Sequence, residues 1–249
     1  MITFELHEKV GVIKLHRGIT NALNSKLVQE LIETLRLRRK NSGVRALVLT
    51  SANDKFFSIG LDIPELFDLS KEEFAKFYHS YNNLCMDLYT FPKPTIVAIP
   101  GHAIAGGCIL TLCCDYRLMA EGRKLMGLNE IKLGVPVPYP GDCMLRELVG
   151  IQRAREITDI GDFYDSKALF QIGIVDEIVP VDQLHSKSIA KASKLGSLPL
   201  DAFQKIKRNR IEAIENNIRN NLVEKEELFI ESWYRDSTRE RLKEAMKKF

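Results

Sequence analysis

The fold is indicated by the stretch Pro100-Gly101-His102-Ala103-Ile104-Ala105-Gly106-Gly107-Cys108. It follows a predicted strand at residues 95–99 and opens a short predicted helix that runs to Cys114. A second stretch of this kind, Phe56-Phe57-Ser58-Ile59-Gly60-Leu61-Asp62-Ile63, follows a predicted buried strand at residues 45–50. A glycine-containing turn between a strand and a helix therefore occurs twice, and this alternation is typical of an α/β fold.

The remaining predicted elements extend the alternation in both directions. Hydrophobic periodicity predicts strands at residues 2–6, 10–16, 116–120, 124–128 and 175–179. It predicts helices at residues 24–39, 64–89, 142–149, 151–159, 166–171 and 221–248. Asn24 or Ser25 is the expected cap of the first helix, and Asp142 that of a helix starting at Cys143. We divide the chain into a core at residues 1–195 and a helical region at residues 196–249.

Composition and charge exclude several classes of function. A hydrophobic fraction of 45% and a charged fraction of 28% are typical of a globular protein. The net charge of +3 is too small to suggest a nucleic-acid partner. The sequence contains no apolar run of about 18 residues, so no membrane partner is expected.

The cysteines and histidines indicate a reducing compartment and no metal site. Five cysteines occur without a C-x-x-C pair, and five histidines occur without H-E-x-x-H spacing. The N-terminus lacks the basic start of a signal peptide. We expect a cytoplasmic location, or an organelle matrix if a targeting segment has been removed.

The two glycine-containing turns and Glu130 are candidate chemical groups. Backbone N–H groups at the start of a helix have no partner within that helix, and two of them aimed at one point form an oxyanion hole. A glycine-containing turn of this kind is equally compatible with an ordinary tight turn that has no chemical role. Glu130 follows a predicted apolar strand and begins a segment rich in proline and glycine. It is either an acid/base group in a dry pocket or a solvent-facing cap carboxylate.

Taken together, these features resemble the crotonase (enoyl-CoA hydratase/isomerase) superfamily. The resemblance covers almost the whole chain and is most specific in an ordered series of motifs. These are Asn21-Ala22-Leu23-Asn24, Phe57-Ser58-Ile59-Gly60-Leu61-Asp62-Ile63, Gly101-His102-Ala103-Ile104-Ala105-Gly106-Gly107-Cys108, Cys114-Asp115-Tyr116-Arg117 and Ile172-Gly173-Ile174-Val175-Asp176-Glu177-Ile178-Val179-Pro180.

The resemblance implies a spiral of ββα units followed by a helical trimerisation region at residues 196–249. It implies an acyl-CoA substrate, no separate cofactor, and a homotrimer or a dimer of trimers. Leu61 and Gly106 occupy the positions whose N–H groups bind the thioester oxygen in the family. The family also places CoA or substrate contacts at the positions of Ala22, Leu23, Ser58, Gly60, Asp62, Ile63, Ile109 and Pro136.

Ile109 distinguishes among the reactions of this family. Hydratases carry one glutamate at the position of Ile109 and a second at that of Glu130, because adding water requires two carboxylates. Ile109 cannot replace the first of these. Glu130 alone suffices to take a proton from C2 of a 3-enoyl-CoA and return it at C4. The sequence around Gly127-Leu128-Asn129-Glu130 is most similar to the 3,2-enoyl-CoA isomerase branch.

Two alternatives remain at this stage. Asp142 could supply a second carboxylate and restore hydration, or the chain could be a non-catalytic subunit that binds acyl-CoA. The sequence also departs from the family pattern at several positions. Pro64 stands where many relatives carry lysine, and Ala105 stands where a third glycine is common. The segment at residues 135–142 is rich in proline and should shape the acyl pocket.

Overall fold

The computed structural model describes residues 1–247, which form ten strands and ten helices. The strands are β1 Ile2–His7, β2 Val10–Leu15, β3 Ala46–Ser51, β4 Phe56–Ser58, β5 Thr95–Ile99, β6 His102–Ile104, β7 Tyr116–Ala120, β8 Leu125–Gly127, β9 Tyr164–Asp165 and β10 Glu177–Val179. The helices are α1 Ser25–Arg39, α2 Ile63–Phe67, α3 Lys71–Tyr89, α4 Gly106–Leu112, α5 Glu130–Leu133, α6 Tyr139–Ile160, α7 Ser166–Ile172, α8 Val181–Gly196, α9 Leu200–Trp233 and α10 Asp236–Met246.

The strands form two sheets that the chain visits in turn. The larger sheet has the order β1-β2-β3-β5-β7-β10, and the smaller has the order β4-β6-β8-β9. Each of β3, β5 and β7 is followed by one strand of the smaller sheet and then by helix. Neighbours β3, β5 and β7 are parallel, as are β4, β6 and β8. This repeated path is the predicted spiral of ββα units.

Alternation along the strands of the larger sheet supplies two apolar layers. In β3, Leu47 and Leu49 face the main core, whereas Ala46 and Val48 face a second cluster on the opposite side. Helix α8 covers that opposite side and contributes Leu184 to it. The main core lies between the larger sheet and the helices that carry the candidate site.

Several predicted boundaries are wrong for local reasons. The helix predicted at residues 64–89 is divided into α2 and α3, because Ser70 starts a new helix with a reciprocal capping box to Glu73. The segment at residues 102–104 is strand β6, which we predicted to be the start of a helix. Strand β4 begins the second glycine-containing stretch, for which we predicted a turn and no strand.

The C-terminal half shows two further corrections. Helix α6 begins at Tyr139, with Pro140 in its first turn, so Asp142 lies inside the helix and is not its cap. The backbone of Gly150 is non-helical, with φ of 77°, which divides α6 where the sequence predicted a break. The final helix predicted at residues 221–248 is two helices: α9 begins earlier, and α10 follows a break at Tyr234 and Arg235. Residue 248 lies outside the described residues.

Candidate active site

The two glycine-containing turns meet at one edge of the smaller sheet. Strands β4 and β6 are adjacent and parallel, so their carboxyl ends lie side by side. Gly60, after β4, has a φ of +90°, which favours glycine. A Cβ atom at Gly60 would lie 2.9 Å from the nitrogen of Gly106 and 2.9 Å from the carbonyl oxygen of Ile104. Glycine therefore permits the first turn to touch the start of α4.

The N–H groups of Leu61 and Gly106 have no acceptor among residues 1–247. Leu23 pairs with Leu61 in an isolated parallel bridge. In this bridge the Leu23 N–H donates to the Gly60 carbonyl at 2.8 Å, and the Asp62 N–H donates to the Leu23 carbonyl at 3.0 Å. The Leu61 N–H points away from the bridge. Leu61 and Gly106 line the same cavity, so their N–H groups can serve as an oxyanion hole.

Buried polar contacts hold these turns in place. The Ser58 hydroxyl donates to the Asn21 carbonyl at 2.8 Å and accepts from the Gly60 N–H at 3.2 Å. The Tyr81 hydroxyl, from α3, donates to the Gly106 carbonyl at 3.0 Å. Ala105 has a φ of +49°, a strained conformation for a residue with a Cβ atom. These contacts fix the backbone before any ligand binds.

Glu130 is the first residue of α5 and is buried, with only 4% of its surface exposed. Neither of its carboxylate oxygens has a hydrogen-bond partner among residues 1–247. Burial disfavours the charged form and raises the pKa of Glu130 to about 8. Glu130 lines the same cavity as Leu61 and Gly106. The cavity therefore combines one candidate base with two free N–H donors.

The cavity has a volume of about 1290 Å³ and is open on one side. It is lined by Ile19, Thr20, Lys55, Phe56, Ile59, Leu61, Ile63, Ile104, Ala105, Gly106, Asn129, Glu130, Lys132, Leu133, Val135, Pro138, Phe163, Phe229, Trp233, Glu240, Arg241, Lys243, Glu244 and Ala245. A volume of this size is large enough for an extended ligand.

The other residues singled out in the sequence occupy three kinds of position. Ile63 lies on the cavity wall. Ala22, Leu23, Ser58 and Gly60 lie behind the wall, in or beside the turn that presents Leu61. Asp62 caps α2 and forms an ion pair with Arg17 at 2.5 Å.

Ile109 and Pro136 are not on the cavity wall. Ile109 is fully buried and packs against Gly141, where a Cβ atom would lie 2.7 Å from the Ile109 Cγ1 atom. Pro136 is exposed, while its neighbours Val135 and Pro138 line the cavity. Position 109, where the resemblance implies a glutamate in hydratases, is therefore part of the apolar core.

Within residues 1–247, the other acidic side chains of the cavity wall are exposed, and Asp142 is not on the wall. Asp142 forms an ion pair with Arg146 at 2.9 Å and is not a cavity-lining residue. Burial raises the pKa of the Asp142 carboxyl group. Glu240 and Glu244 line the cavity, but both are exposed on α10. Within residues 1–247, Glu130 is the buried carboxylate of the wall.

Tyr81 and the cavity-lining role of the C-terminal helices were not predicted from the sequence. The Trp233 ring stacks 4.4 Å from that of Phe74, and Trp233 also lines the cavity together with Phe229. The two side chains are one helical turn apart, and this spacing was the available signal. No local pattern connects Tyr81 with Gly106.

His102 and Cys108 are structural. The His102 ring accepts a hydrogen bond at Nδ1 from the Leu125 N–H at 3.0 Å, as expected for a backbone-bonded imidazole. Burial raises the pKa of the Cys108 thiol well above its usual range, so the thiol stays protonated and unreactive.

Residues 1–247 contain no cluster of three or more histidine, cysteine, aspartate or glutamate side chains that could hold a metal ion. The helices of the same residues include none with the length and apolar character needed to cross a membrane.

The sequence of this chain is similar to those of known proteins. Residues 5–249 match the family model described as enoyl-CoA hydratase/isomerase. The chain is 32% identical to enoyl-CoA delta isomerase 1, mitochondrial, from Mus musculus, over 84% of the chain and 73% of that protein. It is 31% identical to crotonyl-CoA hydratase from Syntrophomonas wolfei, over 74% of the chain and 70% of that protein.

A solved structure shows the same architecture. The human mitochondrial delta3-delta2-enoyl-CoA isomerase superposes with a TM-score of 0.95 at 27% identity, covering 99% of this chain and 97% of that one. The chain belongs to the enoyl-CoA hydratase/isomerase family and has the crotonase fold.

Proposed function

We propose that this protein is an isomerase that converts 3-enoyl-CoA into 2-enoyl-CoA. The observation that carries the proposal is the single buried carboxylate, Glu130, in a cavity shared with the free N–H groups of Leu61 and Gly106. Moving a double bond requires one group that accepts a proton and returns it. The reaction needs no separate cofactor, because the thioester itself takes up the developing charge.

The proposed reaction proceeds through a dienolate. The Glu130 carboxylate takes a proton from C2, and the electron pair of the broken C–H bond delocalises onto the thioester oxygen. The N–H groups of Leu61 and Gly106 donate to that oxygen. The protonated Glu130 then returns the proton at C4, which leaves the double bond between C2 and C3. A positioned base contributes about 10²–10⁴-fold to the rate, and one oxyanion donor about 10²–10³-fold.

The surroundings of Glu130 favour proton transfer within the cavity. With its pKa raised to about 8, Glu130 is a stronger base than an exposed carboxylate and holds the proton between the two transfers. Burial also limits the exchange of that proton with solvent.

The position of Ile109 argues against hydration. Hydration requires a second carboxylate to activate or hold water, and that position is filled by an apolar side chain packed on Gly141. Asp142 is engaged with Arg146 away from the wall. The relatives include both isomerases and hydratases at similar identity, so the proposal rests on these local contacts.

The test compares two substrates. Purified protein is mixed separately with a trans-3-enoyl-CoA and a trans-2-enoyl-CoA, and the absorbance of the conjugated thioester is followed with EDTA present. We expect a rise with the first substrate and no loss with the second. Glu130→Gln should reduce the rise by at least about 10²-fold. Asp142→Asn is the matched control, and it should retain the wild-type rate.

Each other outcome contradicts the proposal in a distinct way. Loss of the trans-2-enoyl-CoA signal means that water is added, and sensitivity to Asp142→Asn would identify that residue as the second acid. Binding of acyl-CoA without turnover of either substrate supports a non-catalytic subunit instead.

We also propose that the chain assembles as a homotrimer or a dimer of trimers. An exposed apolar group supports an interface between copies: Ile131, Ile160 and Phe163 are 48%, 52% and 40% exposed. They gather around Gly161, at which a Cβ atom would lie 2.8 Å from the Ile131 side chain. Sedimentation equilibrium should give three or six times the chain mass, and a monomer contradicts the proposal.

A further inference from the structure

Two aromatic side chains of α9, Phe229 and Trp233, form a buried part of the cavity wall. We call this pair the aromatic floor. Both residues line the cavity, and each is only 2% exposed. The exposed side chains of the wall include Lys55 and Lys132, and they mark its charged opening to solvent. The cavity wall therefore combines a charged opening with a buried aromatic part.

A second aromatic layer stands behind the floor. The Trp233 ring stacks on Phe74 at 4.4 Å, and the Phe229 ring stacks on Tyr78 at 4.1 Å. Phe74 and Tyr78 belong to α3, are buried and do not line the cavity. Stacked aromatic pairs are favourable beyond the burial of their surface. The floor is held by these contacts and cannot move aside without losing them.

Three apolar side chains follow Glu130 along the chain and line the cavity: Leu133, Val135 and Pro138. For a ligand with its thioester at Leu61 and Gly106 and its C2 at Glu130, these side chains and the aromatic floor are the wall residues suited to contact the remaining acyl carbons. Polar parts of the ligand are favoured at the charged opening.

We infer that Phe229 and Trp233 limit the length of the acyl chain that this site accepts. The inference rests on the proposed function, since it takes the ligand of the cavity to be an acyl-CoA. One additional methylene group of the acyl chain that enters apolar space changes specificity by about 10–200-fold. A methylene that meets the floor must displace a stacked ring, and overpacking of this kind is unfavourable.

Trp233 is suited to a test of size alone. Its indole Nε1 is buried and has no hydrogen-bond partner among residues 1–247. Replacing the indole with an apolar side chain therefore removes volume without removing a hydrogen bond. Trp233→Leu and Phe229→Leu enlarge the cavity at two neighbouring points, while Trp233→Phe removes less volume.

The experiment measures binding, so that it does not depend on turnover. Isothermal titration calorimetry gives the Kd of saturated straight-chain acyl-CoAs from butanoyl- to hexadecanoyl-CoA. We expect wild-type affinity to rise with length to a limit and then to fall. Trp233→Leu and Phe229→Leu should move the limit to longer chains and tighten binding of the first rejected chain at least tenfold, and Trp233→Phe should do so less. Leu222→Ala, a buried α9 residue away from the wall, is the matched control and should keep the wild-type limit.

The outcomes separate this inference from the proposed function. An unchanged limit in the leucine variants, with native circular dichroism, overturns the inference. The same result for Leu222→Ala as for Trp233→Leu overturns it too, because loosening of α9 would then explain the shift. A shifted limit without turnover of trans-3-enoyl-CoA supports the floor and contradicts the isomerase proposal. Absence of binding by every acyl-CoA overturns both.

Discussion

Glu130 is buried with two carboxylate oxygens that have no hydrogen-bond partner among residues 1–247. An ionised carboxylate in such surroundings is costly, so the proton is held more tightly than in water. The pKa of about 8 follows from this desolvation. The same burial that makes Glu130 a useful base leaves most molecules of the free protein protonated at neutral pH.

The rate should therefore depend on pH through Glu130. Because the base form is required, kcat/KM for a trans-3-enoyl-CoA should increase about tenfold per pH unit below pH 8 and level off above it. The profile of kcat/KM reports the free protein, and a series of initial rates between about pH 6 and 9 measures it. A midpoint near 4.5, the ordinary value for glutamate, would contradict the role of burial.

The stability of the folded protein should decrease as the pH rises, whereas the rate should increase. The folded-state pKa of Glu130 lies above its unfolded value near 4.5, so the favourable contribution of the bound proton is present below pH 4.5 and is lost as the pH rises through about 8. Glu130→Gln cannot ionise and therefore does not lose this stability at high pH. The upper limit of the loss in the wild type is about 5 kcal/mol, because each unit by which the pKa is raised corresponds to about 1.4 kcal/mol.

Urea unfolding at pH 5 and pH 9 measures this difference. The free energy of unfolding of Glu130→Gln, relative to the wild type, should be more favourable at the higher pH. Glu121→Gln, at an exposed position, is the control and should stay within about 0.5 kcal/mol of the wild type at both values. An equal offset for Glu130→Gln at both pH values would count against the raised pKa.

The two glycine-containing turns and Glu130 could be located from the sequence because each lies next to a strand end marked by local residue types, whereas Leu61 and Gly106 were selected within the turns through the resemblance to the crotonase superfamily. Their placement on one cavity follows from the parallel order of the smaller sheet. Tyr81 could not be found in this way. Its contact with Gly106 joins residues far apart along the chain, and no local pattern records it.

Short elements are where prediction from the sequence was least successful. Strands β4 and β6 contain three residues each, which is too few for a period of two to be visible. The division between α2 and α3 was readable, because Ser70 and Glu73 have the spacing of a capping box. The long apolar pattern of residues 64–89 concealed it.

The contact between α4 and β4 requires a glycine at position 107. A Cβ atom there would lie 2.4 Å from the Ser58 carbonyl oxygen, which is backbone and cannot rotate away. Gly107→Ala should therefore destabilise the protein by about 1–3 kcal/mol and displace the turn that carries Leu61. The isomerase rate of the variant should be reduced even at a temperature where the variant is still folded, because the turn that carries Leu61 is displaced.

The measurement pairs urea unfolding with the isomerase assay. Gly43→Ala is the control, since a Cβ atom there would meet only the flexible Asn41 side chain, at 3.1 Å, and the φ of Gly43 is not positive. It should remain within about 0.5 kcal/mol of the wild type. Wild-type behaviour of Gly107→Ala would show that the close approach to Ser58 does not position the turn.

The C-terminal helices α9 and α10 lie over the candidate site of the same chain. Helix α10 packs against α2, α5 and α9. The Thr238 hydroxyl donates to the Gly134 carbonyl, at the end of α5, at 3.1 Å, and the Arg239 guanidinium lies 3.3 Å from the centre of the Phe67 ring.

The sequence predicted a helical region for oligomerisation at residues 196–249, and the boundary at 195 remains a prediction. The contacts across the cavity join distant segments and could not be read from the sequence.

Removal of α10 should weaken substrate binding more than it weakens the sheets. A chain ending at Arg235 loses Glu240, Arg241, Lys243, Glu244 and Ala245 from the cavity wall, and it loses the contacts of α10 with α2 and α5. We expect KM for a trans-3-enoyl-CoA to increase about tenfold or more, since a loss of about 1.4 kcal/mol in binding corresponds to tenfold.

A chain ending at Lys247 is the control and should keep the wild-type KM. Circular dichroism of the shorter chain should retain the signal of both sheets, because α10 packs against helices. An unchanged KM would mean that α10 is not part of the substrate site, and loss of the folded signal would mean that α10 holds the fold and not only the cavity wall.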